Sequence, residues 1–339
     1  MNDLFSHLNP QQEKAVKASS GPILVLAGPG SGKTRVLTHR IAYLISVLGV
    51  RPHNTLAVTF TNKAAEEMAE RLHDLLGPRA AAITVQTFHA FGLHLLHTHG
   101  AQIGLRQPLV LLGEEERHSL LARACPDLSE PQIGAALLGI SAAKNRLLPP
   151  AAPEVVQLMP EIDLPAVYAA YQDALAAAQA VDFDDLLMLP VQLLQTQPGV
   201  LAAVQARYRW LSVDEYQDVN WAQVRLLRLL AAGGANLCAI GAADQAIYGF
   251  RGADHRHFLS FQAEYPGARV VQLRQSYRSP QALLDAAAQV IAHNPDRAAL
   301  QLWSDFAGAV KLDTYQAPTD RAEAEYAVHR IEQMVGGTS

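Results

Sequence analysis

Short continuous apolar runs, each followed by a stretch with apolar residues at helical spacing, recur along the chain. Ile23–Ala27 (ILVLA) and residues 55–60, 83–89, 209–213, 237–240 and 268–273 are runs of this kind, rich in Val, Ile, Leu and Thr. They predict strands of the parallel type, buried on both faces. Helical spacing follows at 35–48, at 63–76 with Ala64, Met68, Leu72 and Leu75 inward, and at 90–97. A first short helix is expected over 12–17, with Asn9 as N-cap and Pro10 at the first helical position. Strand and helix alternating in this way predict an α/β fold around a parallel sheet.

Between about 104 and 181 the pattern changes to Ala/Leu/Gln-rich helical segments punctuated by prolines, without a strong strand signal, and reads as a helical insertion. Lys144, Asn145 and Arg146 read there as a solvated helix end, with contact to a nucleic-acid backbone as the alternative. Asp182, Phe183, Asp184 and Asp185 read as the N-terminal cap of a helix over 186–194, where acids suit the helix dipole. Beyond 273 the pattern predicts a helix at 281–293, a strand at 310–315 and a last helix at 321–335.

Composition narrows the picture. A chain of 339 residues, half of them hydrophobic, has the material for two or more domains. A net charge of −5 argues against a polybasic, sequence-independent binder but leaves room for a local positive groove. Cys125 and Cys238 lack metal or redox spacing, the opening residues from Met1 lack a charged leader followed by an apolar core, and no apolar run reaches membrane-spanning length. The expectation is a reduced, cytoplasmic protein with no membrane partner. His89, His94, His97 and His99 lack the acidic or cysteine companions of a metal site and read as solvated or core histidines.

The chemistry collects where strands end. Ala27, Gly28, Pro29, Gly30, Ser31, Gly32, Lys33 and Thr34 join the first strand to a helix, the context of a phosphate-binding loop. Backbone N–H groups and the helix dipole face phosphates, Lys33 reaches the terminal ones, and Thr34 offers a hydroxyl to Mg²⁺. Gln12 lies close enough upstream for its amide to read an adenine edge. A later strand ends in Asp214 and Glu215, which suit a metal ligand and a general base on opposite sides of the strand's pleat. Gln245 lies just past another strand end, placed to sense a γ-phosphate. Thr-Phe pairs end two strands, at Phe60 and Phe88. Phe60 reads either as core or as a stacking surface for single-stranded bases, and the repetition favours the second. Tyr248, Phe250 and Arg251 combine rings with a guanidinium, as do Tyr277 and Arg278, where Arg278 suits a finger on the γ-phosphate.

Together LNPQQ with Gln12, AGPGSGKTR, TFTNKAAEEM, TFHAF, SAAKNRLLPP, DFDDL, VDEYQD, DQAIYGFRGAD and QSYRS resemble the superfamily 1 DNA helicases of the UvrD, Rep and PcrA type. The resemblance implies a RecA-like P-loop domain over 1–103 and 182–271, a helical insertion over 104–181, and the beginning of a second RecA-like domain over 272–339. It implies ATP with Mg²⁺ between the two domains, single-stranded DNA across their tops, action at single-strand/duplex junctions in repair or replication, and 3′ to 5′ movement. By position it makes Gln12 the adenine reader and Lys33, Thr34, Asp214 and Glu215 the phosphate, metal and base groups. Gln245 and Arg278 become γ-phosphate sensors, and Tyr277 with Arg35 the adenine stack. It assigns Phe60, Asn62, His89, Tyr248, Phe250 and Arg251 to DNA.

The chain departs from the pattern at Ala242, where the family has Asp, at Gly249, where it often has Arg, and at Ser276, where it usually has Asn. Ala242 is expected to weaken the link between hydrolysis and DNA. Relatives also continue through the rest of the second domain, with a further arginine for the γ-phosphate, so slow hydrolysis without unwinding is expected of this chain alone. The rival expectation is a non-catalytic single-strand-binding or regulatory module of helicase descent. A small-molecule kinase fits less well, because no acceptor pocket is evident.

Overall fold

The computed structural model describes residues 4–298, 300–306 and 311–336. Met1 to Asp3, Val310 and Ser339 lie outside them. Among the described residues eight strands form: β1 Ile23–Ala27, β2 Thr55–Thr59, β3 Thr84–Thr87, β4 Val110–Leu111, β5 Ala180–Val181, β6 Trp210–Val213, β7 Asn236–Gly241 and β8 Arg269–Leu273. Six of them build one parallel sheet in the order β3-β2-β6-β7-β1-β8. The apolar runs have this destination because helices cover both faces. All five residues of β2 are buried. One core packs Phe91, Leu187, Val191, Leu211 and Phe258 on one side, and another packs Val36, Ile41, Met68 and Leu72 on the other.

Local signals hold at the helix ends. Pro10–Lys17 begins with a capping box in which the Asn9 side chain accepts from the Gln12 N–H at 2.8 Å and the Gln12 amide oxygen accepts from the Asn9 N–H at 3.0 Å. The helix after β1 spans Lys33–Ser46 and enters through Gly30 and Gly32 at φ of 72° and 84°, left-handed conformations that a side chain would strain.

The segment between β3 and β6 carries the helices Glu114–Ala124, Glu130–Asn145 and Leu164–Ala177, with a separate core of Leu121, Ile133, Ile140, Tyr168 and Tyr171. The two-residue strands β4 and β5 pair there in parallel; strands this short carry no readable alternation. No single helix among the described residues is long and apolar enough to cross a membrane.

Three expectations need correction. Lys144 is buried instead of solvated, and its Nζ donates to Asp182 at 2.9 Å and Asp185 at 2.8 Å. The N-cap of the helix Asp185–Thr196 is Asp184, whose side chain makes no cap bond; Asp182 and Asp185 exchange side-chain-to-backbone hydrogen bonds at 2.9 and 3.1 Å and belong to this buried ion network, which Arg117 and Tyr171 complete. Although burial opposes ionisation, Lys144 and Arg117 hold the Asp182 carboxyl below the usual carboxylate range. Finally, residues 311–315 form no strand and have no ladder partner among the described residues; Tyr315 instead stacks on Tyr326 at 3.8 Å. The helices at Gln281–Ile291 and Asp320–Met334 form as expected.

Candidate functional site

The C-terminal ends of β1, β6 and β7 lie side by side, so the loops that follow them share one edge of the sheet. The phosphate-loop residues after β1 are pinned from two directions. Gln12 donates to the Ser31 carbonyl at 2.9 Å, and the Ser31 hydroxyl donates to the Gly28 carbonyl at 2.7 Å. From the segment after β8, the Ser276 hydroxyl donates to the Pro29 carbonyl at 2.9 Å and the Tyr277 N–H to the Gly30 carbonyl at 2.9 Å. Ser276 thus has a structural task at the loop.

Lys33 leaves the first helical turn and meets residues from two other strands. Its Nζ donates to Gln245 Oε1 at 2.7 Å and lies 3.2 Å from Glu215 Oε2. These are oxygen ligands of the kind a terminal phosphate presents. Glu215 faces Lys33 by a route other than the expected alternation of the pleat. β6 ends at Val213, and Glu215 adopts φ 49° and ψ 47°, a left-handed turn that swings its side chain toward the loop. A non-glycine residue held there stores strain of order 1–3 kcal/mol, which the surrounding contacts must offset.

Asp214 is buried and tied into the sheet edge, its N–H donating to the Val58 carbonyl at 3.0 Å. Burial first, and the neighbouring Glu215 carboxylate second, push the Asp214 carboxyl up to about 6 against the opposing pull of Lys33. A buried carboxyl under this pressure fits a divalent cation, which relieves what burial and Glu215 impose. Thr34, half-buried at the start of the same helix, fits as the second ligand. Among the described residues no three or more His, Cys, Asp or Glu side chains cluster as a metal site would require.

A band of aromatic residues adjoins this constellation. Phe60, just past β2, packs on Tyr248 at 4.4 Å between ring centroids, and Tyr248 lies 6.1 Å from Phe250. The Arg251 guanidinium sits 5.8 Å and 5.5 Å from those last two rings. Phe250 is 79% exposed, an unusual position for a ring that only filled a core. Asn62 is exposed at the first position of the helix Asn62–Leu76. His89 lies farther along the edge, 6.4 Å from Phe183, and burial lowers its imidazole against the opposing influence of Asp184.

A model of the UvrD/Rep helicase N-terminal domain matches residues 8–266, a span that takes in β1 to β7 and the loops that follow β1, β2, β6 and β7, but not the segment after β8. The chain belongs to this helicase family. It is 42% identical over 340 residues to the ATP-dependent DNA helicase PcrA of Staphylococcus aureus, covering 98% of this chain and 46% of that protein. For the PcrA helicases of Leuconostoc citreum and Staphylococcus epidermidis the identities are 43% and 41%, with 98% of this chain covered and 45% and 46% of theirs. The chain therefore spans about half the length of the curated relatives it matches.

Within this helicase-family fold, Lys33, Glu215 and Gln245 come into direct contact, and Asp214 and Thr34 stand beside them. Tyr277 lies near the start of the first helix, where Asn9 Nδ2 donates to its hydroxyl at 2.8 Å. Both ends of the Gln12 amide are engaged, by Asn9 and by Ser31, so the residue expected to read adenine also braces the loop. Arg35 and Arg278 are exposed, and the Arg278 backbone runs so close to Gly30 that a Cβ added there would meet the Arg278 Cβ at 2.5 Å. Two neighbours were not singled out from the sequence. Phe183, 47% exposed beside His89, was hidden among acids that a helix cap explains. Gln217 looked like an ordinary residue after two catalytic-type acids; only its spacing from Glu215 pointed to it.

Proposed function

We propose that this chain is the ATP-binding portion of a DNA helicase, a translocase that moves 3′ to 5′ on single-stranded DNA and acts at single-strand/duplex junctions in repair or replication. The contact of Lys33 with both Glu215 and Gln245, three side chains delivered by three strand ends, carries this reading. ATP would lie on the loop 27–34 with Lys33 toward its terminal phosphates and the adenine beside Gln12, Tyr277 and Arg35. Thr34 and Asp214 would hold Mg²⁺, which supplies charge neutralisation at the β- and γ-phosphate oxygens. Glu215 takes the proton from the attacking water, Gln245 senses the γ-phosphate, and Arg278 steadies the charge that develops there. The rings of Phe60, Tyr248 and Phe250, with Arg251, Asn62 and His89, form the track for single-stranded DNA.

The partition into a first RecA-like domain (1–103 and 182–271), an insertion (104–181) and the opening of a second domain (272–339) belongs to this proposal, as does a cytoplasmic setting. An arginine finger contributes about 10³- to 10⁵-fold to turnover, so Arg278→Ala is expected to slow hydrolysis sharply while Mg-ATP still binds.

The test is ATP hydrolysis by the purified chain with and without single-stranded DNA, beside Lys33→Ala and Glu215→Gln. Stimulation by DNA, abolished by either substitution, supports the reading. DNA binding that ignores both ATP and Lys33→Ala would return the rival, a non-catalytic binding module.

A further inference from the structure

Gln217 is 1% exposed, and its amide makes three hydrogen bonds to residues at two strand ends. Its Nε2 donates to Glu215 Oε2 at 2.8 Å and to Asp218 Oδ2 at 3.0 Å, while its Oε1 accepts from the Ala242 N–H at 3.0 Å. The other oxygen of Asp218 accepts from the Ile247 N–H at 3.3 Å. The segment 242–248 is therefore held at its beginning by Gln217 and near its end by Asp218. Between these two anchors lies Gln245, which holds Lys33, and immediately after them comes Tyr248, which packs on Phe60. A ring of contacts closes: Glu215 to Gln217, Gln217 to Ala242, Ala242 to Gln245 through a turn at 2.9 Å, Gln245 to Lys33, and Lys33 back to Glu215.

The fit admits few alternatives. A Cβ added to Gly241 would stand 2.2 Å from Gln217 Oε1, so the amide occupies space that only glycine leaves open. A glutamate at 217 could not donate and would crowd three acids together. A leucine or methionine there would leave the buried Ala242 N–H without its acceptor.

We infer that Gln217 is the positioning residue that couples the nucleotide site to the DNA track, by holding Glu215 and the backbone of segment 242–248 in one hydrogen-bonded unit. The inference rests on the ATP and DNA reading given above. Any ligand that draws Lys33 or Glu215 away from their present partners changes the ring, and Gln217 passes the change to the segment that ends in Tyr248. The transmitting group on the segment is the N–H of residue 242. Its side chain takes no part in this hydrogen bond, so the link is present with alanine there.

The coupling is measurable without turnover. Affinity for a fluorescein-labelled oligo-dT is titrated by anisotropy with and without Mg²⁺ and the slowly hydrolysed adenosine 5′-(3-thiotriphosphate), for the unchanged chain, Gln217→Met and Gln217→Glu. In the unchanged chain the nucleotide is expected to shift DNA affinity by about 5-fold or more, the low end of ordinary allosteric coupling. In both variants the shift should fall to within about 2-fold of none, while the affinity for each ligand alone stays within about 3-fold. Undiminished coupling in either folded variant overturns the inference. So does an unchanged chain that binds both ligands independently. Variants that melt early and weaken both ligands equally, or that do not fold, also overturn it, by showing a purely structural role. Failure of the unchanged chain to bind the nucleotide, or equal binding by Lys33→Ala, sinks instead the functional reading on which the inference stands.

Discussion

Lys33 and Gln245 stand 212 positions apart in the chain, yet the lysine ammonium donates to the glutamine side-chain oxygen at 2.7 Å. Two strand ends separated by most of the sequence thus share one charged hydrogen bond at the mouth of the phosphate loop. Lys33→Ala is expected to weaken Mg-ATP binding roughly 10- to 100-fold, the worth of a charge-assisted bond of about 1.5–3 kcal/mol. Titration with a fluorescent ATP analogue measures this, and unchanged affinity would refute the assignment.

The packing of Phe60 on Tyr248 predicts a separable defect. Tyr248→Ala is expected to cost about 1–3 kcal/mol in single-stranded DNA affinity, the worth of one stacked base. Nucleotide affinity in the absence of DNA should not change. Anisotropy with an oligo-dT and the same nucleotide titration distinguish the two effects.

Asp214 predicts opposite pH trends with and without Mg-nucleotide. Its carboxyl is raised to about 6 in the folded chain, so between roughly pH 4 and 6 the folded state holds a proton that the unfolded state has released. Its contribution to the stability of the ligand-free chain is therefore present below pH 4 and lost as pH rises through 6. Mg²⁺ competes with that proton, so stabilisation by Mg-nucleotide should grow over the same interval. Melting temperatures from pH 5 to 7.5 check both trends, and Asp214→Asn should flatten both.

Lys144→Met is expected to destabilise the chain by about 3–5 kcal/mol, because it leaves the buried Asp185 without its cation and Asp182 with Arg117 alone. Chemical denaturation reads the loss. Adding Asp182→Asn and Asp185→Asn should recover part of it. A Lys144→Met chain as stable as the original would show that the three charges do not stand or fall together.

Much of this fold was legible because its signals are local. An apolar run such as Ile23–Ala27 with no polar alternation must be covered on both faces, and that points to a parallel sheet without reference to any distant residue. The Asn9 cap and the left-handed entry at Gly30 and Gly32 depend on a few neighbouring residues, so the first helix and the phosphate loop could be read where they stand. The residues at strand ends were legible for a related reason. A parallel sheet brings all its C-terminal ends to one edge, so locating the strands already gathers Lys33, Asp214, Gln245 and Phe60.

What the sequence by itself determined, then, was the alternating α/β order, the phosphate loop and the set of residues at the sheet's edge. Tertiary structure alone decided how those residues meet. Lys144 read as solvated because the acids that bury it lie 38 and 41 positions later. The stretch 311–315 reads as a strand but has no pairing partner among the described residues, and a ladder is a property of two segments. Glu215 reaches Lys33 through a left-handed turn that no propensity favours, and Gln217 earns its place only through Gly241 and Ala242, which arrive from another strand. In each case the deciding energy is a hydrogen bond, an ion pair or a steric exclusion between residues that only folding brings into contact.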